Sequence, residues 1–126
     1  METASEVRGT VLGNVPSKSN GYKVITIHGH GSLGKTKALK DYERAFFLQF
    51  PGRGANIAEP FVLAVDVYYA SNLPDLDNAL KVILDCLQQC KAIKNDRLCV
   101  EIHARKFVDR ARPRVEITLQ RFADKQ

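Results

Sequence analysis

Asp75, Asp77, Lys81 and Asp96 are the residues of this chain whose types and spacing best suit chemistry. The first three lie in Leu73-Pro74-Asp75-Leu76-Asp77-Asn78-Ala79-Leu80-Lys81, where a loop enters a predicted helix, and Asp96 opens the segment that follows that helix. Hard divalent cations such as Mg²⁺ take oxygen ligands, keep several waters, and are commonly held by a few carboxylates together with substrate phosphates. Three acids from two chain segments, with a lysine beside them, make a candidate cradle for such an ion. Capping accounts for one acid at a helix N-terminus, because the macrodipole favours negative charge there. Two acids followed by Asn78 exceed what a cap needs. Asp77, Lys81 and Asp85 recur at four-residue intervals and so project from one helical face. Asp77 and Lys81 alone also make an ordinary exposed helix pair. Asp85 reads equally as a ligand and as a residue that supports the ligands or is merely solvated.

Two other groups suggest different chemistry. Gly29-His30-Gly31-Ser32-Leu33-Gly34-Lys35-Thr36 matches G-x-x-x-x-G-K-[ST] between a predicted strand and helix, and Val62 to Asp66 looks like the acid-ending strand that accompanies it. Backbone amides of such a loop would cradle nucleotide phosphates, with Lys35 reaching the terminal ones. That fold needs a parallel sheet with a helical crossover per strand, whereas Leu98 to Arg121 reads as an antiparallel pair. Residues 29–37 are therefore expected to be a flexible basic loop, with a nucleotide-binding protein as the alternative. Cys86, Cys90 and Cys99 form an odd set without C-x-x-C, which fits reduced thiols. Cys99 and His103 on one strand would stand roughly 13 Å apart, too far to meet at one zinc.

The elements that must position these residues follow from periodicity. Glu6 to Asn14 and Tyr22 to His28 alternate as strands, and Gly29 to Gly34 reads as a glycine-rich turn. Leu39, Tyr42 and Phe46 fall at helical spacing from Thr36 to about Phe50, where Pro51-Gly52 ends the helix. Phe61 to Tyr69 is the best strand, and it delivers the chain to the acid motif. The second helix runs to about Cys90 with Leu80, Ile83, Leu84 and Leu87 as its apolar stripe. Leu98 to Val108 and Arg114 to Arg121 alternate again. The expected fold is α+β, a single domain over residues 1–126 in ββαβαββ order, with a mixed β-sheet and two α-helices.

Composition bounds the partners. The 44% hydrophobic and 26% charged content is that of an ordinary globular chain, which excludes wholesale disorder. A formal net charge of +5 favours a polyanionic partner. The longest apolar run, Phe61 to Val65, is far too short to span a bilayer, and the N-terminal residues lack an apolar secretory core. A cytoplasmic location without membrane attachment is the expectation.

The order Pro74-Asp75-Leu76-Asp77-Asn78-Ala79-Leu80-Lys81-Val82-Ile83-Leu84-Asp85, followed by Asn95-Asp96-Arg97, resembles the core of the RusA-like endodeoxyribonucleases, which resolve Holliday junctions. That family reads P-D-x-D-N, a lysine one turn into the helix, an Asp on the next turn, and D-D at the following strand entry. A weaker echo is Pro16-Ser17-Lys18-Ser19-Asn20, where relatives carry a P-S-x-N loop. The resemblance spans about Val15 to Lys106, and residues 74–96 are its specific part. Asn95 replaces the first Asp of the pair, and Tyr68 to Leu73 stands where some relatives carry an arginine run.

What the resemblance implies is a homodimer that nicks opposed strands of a four-way junction or similar branched DNA. Two symmetric cuts are most simply made by two sites on a two-fold axis. Asp75, Asp77 and Asp96 would bind Mg²⁺, with Mn²⁺ as a substitute, and Lys81 would orient the attacking water or neutralise developing charge. Asn78 and Asp85 would support the ligands, and Lys18, Asn20, Lys35, Lys37 and Lys106 are expected at the DNA. A junction-binding protein without catalysis is the remaining alternative, raised by Asn95.

Overall fold

Alternating apolar residues build the sheet, and two amphipathic helices cover one of its faces. The computed structural model describes residues 6–16, 22–27 and 30–122. Its strands are β1 (Glu6–Leu12), β2 (Tyr22–Ile27), β3 (His30–Lys35), β4 (Phe61–Tyr69), β5 (Cys99–Val108) and β6 (Arg114–Arg121). Helix α1 (Lys37–Gln49) precedes β4, and α2 (Leu76–Gln89) joins β4 to β5. Strands β1, β6, β4 and β5 form a four-stranded mixed sheet in that order, while β2 and β3 pair as a separate antiparallel ribbon. The fold is α+β, as the alternation and helical spacing predict.

Strand β4 is central because it is apolar on nearly every residue. Phe61, Leu63, Val65, Val67 and Tyr69 are buried toward the helices, and Val62 is buried as well. It pairs antiparallel with β6 and parallel with β5. Thr36 starts α1, its hydroxyl accepting the Leu39 N–H at 3.3 Å. Leu39, Tyr42 and Phe46 face the core, with the Phe46 ring 6.3 Å from Tyr42 and 5.3 Å from Phe50. Helix α2 buries Ala79, Val82, Ile83, Cys86 and Leu87. Just past its end Lys91 takes the left-handed conformation (φ 62°) that usually falls to glycine, and Ala92 N–H returns to the Leu87 carbonyl at 3.0 Å.

Three sequence expectations are corrected. The glycine-rich stretch is not a turn, because His30–Lys35 forms β3, in register with β2 from Tyr22↔Lys35 to Ile27↔His30. The order is therefore βββαβαββ; Gly31 and Gly34 conceal a strand because they contribute nothing to an alternating pattern. The phosphate-cradle alternative loses its loop by the same observation. Strands β5 and β6 are also not partners: β4 lies between them. The short link from Asp109 to Pro113 needs only to cross two strand spacings, roughly 10 Å.

On the sheet face away from the helices, Arg105 makes a fork of two 2.8 Å bonds to Asp66 across the β4–β5 pair. Arg114 bridges Asp109 and Glu116 and lies 3.8 Å from the Tyr68 ring, which stacks on Phe107. These pairs lie at the solvent side of the sheet, where ion pairs add little to stability. The core carries the stability. Phe46→Ala should lower the unfolding free energy by about 3–5 kcal/mol in urea denaturation, and a loss below about 1 kcal/mol would contradict this placement of α1.

Candidate active site

The acid motif hangs from the C-terminal end of β4 by a tethered loop. Tyr69, the last residue of the strand, is buried, and its hydroxyl donates to the Asp75 carbonyl at 3.2 Å. Ala70 N–H donates to the Asn14 side chain at 3.0 Å, and the Lys106 ammonium donates to the Asn72 carbonyl at 3.0 Å. Three separate elements thus hold a six-residue loop in one shape.

Asp75 occupies the N-cap of α2 with extended backbone (φ −88°, ψ 142°), yet its carboxylate makes no capping bond. Asp77 sits in the first helical turn, and both acids are exposed. Burial pushes the Tyr69 phenol up to about 12, and the charges of Asp75 and Asp77 add to the shift. Both carboxylates therefore bear electrostatically on one hydroxyl at the top of β4. Asn78 is half-buried beside them, Lys81 is exposed one turn further, and Asp85 is half-buried a turn beyond that. The Cys86 thiol is raised mainly by burial, with the charges of Glu43 and Asp85 adding to the shift.

Asp96 is at the other end. It begins a 3-10 turn (Asp96–Leu98) just before β5, where the Asn95 side chain accepts the Arg97 N–H at 3.0 Å. Asp96 N–H donates to the Gln88 side chain at 2.9 Å, in the last turn of α2. From Asp77 to Gln88 the helix axis advances roughly 16 Å. One chain thus brings Asp75 and Asp77 together and leaves Asp96 apart. Among the described residues, no three His, Cys, Asp or Glu side chains converge to hold a metal ion.

A family model described as Endodeoxyribonuclease RusA matches residues 30–120, well over half of the 126 residues. The chain belongs to the RusA endodeoxyribonuclease family. The comparison with curated proteins finds no match. RusA membership implies an endodeoxyribonuclease that acts on branched DNA junctions. No described helix is long and apolar enough to cross a membrane.

In this RusA chain the expected DNA contacts are engaged internally where they are described. Lys35 pairs with Glu43 at 2.8 Å, Lys37 with Asp41 at 2.8 Å, and Lys106 holds the acid loop. Lys18 and Asn20 lie outside the described residues. Asp66, the acid of the nucleotide-binding alternative, is occupied by Arg105. Tyr69, Asn14 and Gln88 position the acids, and sequence patterning does not single them out. Tyr69 could have been noticed as a hydroxyl on the apolar face of β4. The three thiols are raised mainly by burial, so they are protonated and carry no nucleophilic chemistry at neutral pH.

The donor set at the top of β4 fits Mg²⁺. Two exposed carboxylates offer hard oxygen and leave room for waters and a phosphate, the habit of this ion. The charges of Asp75 and Asp77 hold the Tyr69 phenol up, beyond what burial alone does. Asp75→Asn and Asp77→Asn should each bring its pKa down from about 12 toward the ordinary 10.0, without reaching it, because burial is the larger cause. Folded Tyr69 keeps its proton longer than the unfolded chain, so its stabilisation is complete below about pH 10 and is lost as pH rises through about 12. Ultraviolet phenolate titration reads the shift, and an unmoved Tyr69 in both variants would contradict the geometry.

Proposed function

We propose that this chain is a metal-dependent, structure-selective endodeoxyribonuclease that resolves four-way DNA junctions as a homodimer, by paired hydrolysis of two opposed strands. The observation that carries the reading is Asp75, an acid at a helix cap that does no capping, beside Asp77 in the acid motif read from the sequence, inside the matched residues 30–120. Asp96 belongs to the same motif but stands at the far end of α2. It joins the other two acids when a second copy supplies it, so each site takes Asp75 and Asp77 from one protomer and Asp96 from the partner. The dimer is then a requirement of the chemistry as well as of the symmetric substrate.

Mg²⁺, or Mn²⁺ in its place, would be held by those three carboxylates, and when bound it supplies an activated water and charge stabilisation at the scissile phosphate. The remaining work falls to the chain's own groups. Lys81 projects from the face that carries Asp77, one turn on, and brings a compact positive charge to the oxygens that gain negative charge. Asn78 beside that face and Asp85 further along it support the ligands. The tethers from Tyr69, Asn14 and Lys106 fix the spacing of Asp75 and Asp77 before DNA arrives. The net charge of +5 favours DNA at long range. Asn95 caps the 3-10 turn through its side-chain oxygen, a task an aspartate would perform equally, so its presence does not favour a non-catalytic binder.

The test is a labelled four-way junction incubated with protein in Mg²⁺ and in EDTA. Cleavage is expected only with the metal. Asp75→Asn, Asp77→Asn and Asp96→Asn should each abolish it while junction binding persists. Lys81→Ala should lower the single-turnover rate by about 10²-fold or more with junction affinity little changed, as removal of a group that acts on the transition state does. Lys35→Ala should be nearly silent. Cutting at the wild-type rate by any two of the Asp variants would overturn the assignment.

A further inference from the structure

Leu73 is the most exposed large apolar side chain among the described residues, 90% accessible, and it stands two residues before Asp75. A lone exposed leucine on an ordinary surface needs no explanation. This one sits on a backbone that is held still. Ala70 N–H is bonded to Asn14, the Asn72 carbonyl to Lys106 and the Asp75 carbonyl to Tyr69, so the tethers fall on both sides of it. The Ser71 hydroxyl accepts the Leu73 N–H at 3.4 Å, and Pro74 confines the residue before it to extended backbone. The loop thus holds in solvent an apolar group that a slack segment would fold away.

The surroundings say what such a group meets. Ala70-Ser71-Asn72-Leu73-Pro74 carries no charged side chain, so the loop offers phosphates no cation of its own. An apolar side chain gains nothing from a phosphate and gains by burial against the face of a base. Two residues span at most roughly 7 Å. DNA whose phosphate lies at Asp75 and Asp77 therefore brings the base step beside that phosphate to Leu73. Leucine is among the side chains that enter such steps as wedges and partly unstack them. A group fixed before DNA arrives loses little further freedom when it enters.

We propose that Leu73 is a specificity-determining residue, which inserts into the base step flanking the scissile phosphate and so confines cutting to branch points. The proposal rests on the nuclease reading given above. Within an arm the stack is continuous and opening it is costly, whereas bases that are unpaired or already open are displaced at least cost. Asp75 and Asp77 supply the chemistry, and Leu73 decides where it occurs. The same wedge favours pyrimidine–purine steps at the cut, because TA and CA/TG steps unstack most easily.

The test uses 2-aminopurine, whose fluorescence rises when it unstacks, placed at the crossover of a four-way junction. In EDTA, wild-type protein should raise the signal on binding. Leu73→Ala should bind and leave it nearly flat, and Leu73→Met, apolar and similar in volume, should restore it. In Mg²⁺, Leu73→Ala should cut the fully paired junction roughly tenfold or more slowly. It should regain most of the wild-type rate on a junction whose bases beside the cut are mismatched, a rescue that a merely structural role would not give. Leu48→Ala, at an exposed leucine of α1, should behave as wild type throughout. The Tyr69 phenol and the sedimentation of Leu73→Ala should also match wild type, since the acid loop and the assembly are untouched. A flat signal with a wild type that cuts, equal slowing on paired and mismatched junctions, unaltered cutting of both, or altered sedimentation would each overturn the inference and leave the nuclease reading standing. A wild type that raises the signal through Leu73 but cuts neither junction would uphold the insertion and remove the nuclease reading instead.

Discussion

Two parallel neighbours cannot be joined by a tight turn; the chain must travel back to the end where the first strand began. The pairing of β4 with β5 imposes that journey here, and α2 makes it. Every feature of the candidate site follows from this crossover. The start of α2 must lie at the top of β4 and the entry to β5 at the bottom, so an acid motif split between those points is split across the protomer. Burial of Ala79, Val82, Ile83, Cys86 and Leu87 locks the helix to the sheet, so the separation of Asp77 from Asp96 is as rigid as the core itself.

Local interactions then sharpen each half of the site. At the top, bonds from Tyr69, Asn14 and Lys106 converge on the loop before Asp75, each contributing on the order of 1 kcal/mol. At the bottom, Gln88 and Asn95 fix the backbone of Asp96 and its 3-10 turn. Neither half spends its carboxylate on these tasks, because a phenol, an ammonium and side-chain amides do the positioning. The acids stay exposed, which suits ligands that receive a metal and a phosphate from solvent.

Much of this was legible in the residues. The alternation of β4 and β6 gave their bounds, and the spacing of Asp75, Asp77, Lys81 and Asp96 gave the family. The stripe of α2 gave Ile83 and Leu87 of its buried face, whereas Leu80 and Leu84 are only partly buried and Ala79, Val82 and Cys86 complete that face. The misses have physical causes. β3 is hidden in the sequence because Gly31 and Gly34 erase the period-two signal. β5 and β6 were expected to pair because their connection is short, but pairing depends on which strand can be buried on both faces, and β4 wins that place. The order strand, helix, strand of β4, α2 and β5 is itself the signal for parallel pairing, and it sets Asp96 beside Gln88 at the end of α2 opposite Asp77. The tether role of Lys106 has no sequence signature, because a lysine on a strand looks the same whether it meets DNA or a carbonyl.

The central claim is that one site is built from two chains, and mixing two dead variants tests it most directly. Asp75→Asn and Asp96→Asn protein should each fail to cut a four-way junction. After subunit exchange in an equal mixture, about half of the dimers are mixed, and in each of these one site carries both substitutions while the other carries none. The account predicts that single-strand nicking returns, at about a quarter of the wild-type density of sites, with little paired cutting. A mixture as inactive as its components, alongside wild-type protein that cuts, would contradict it.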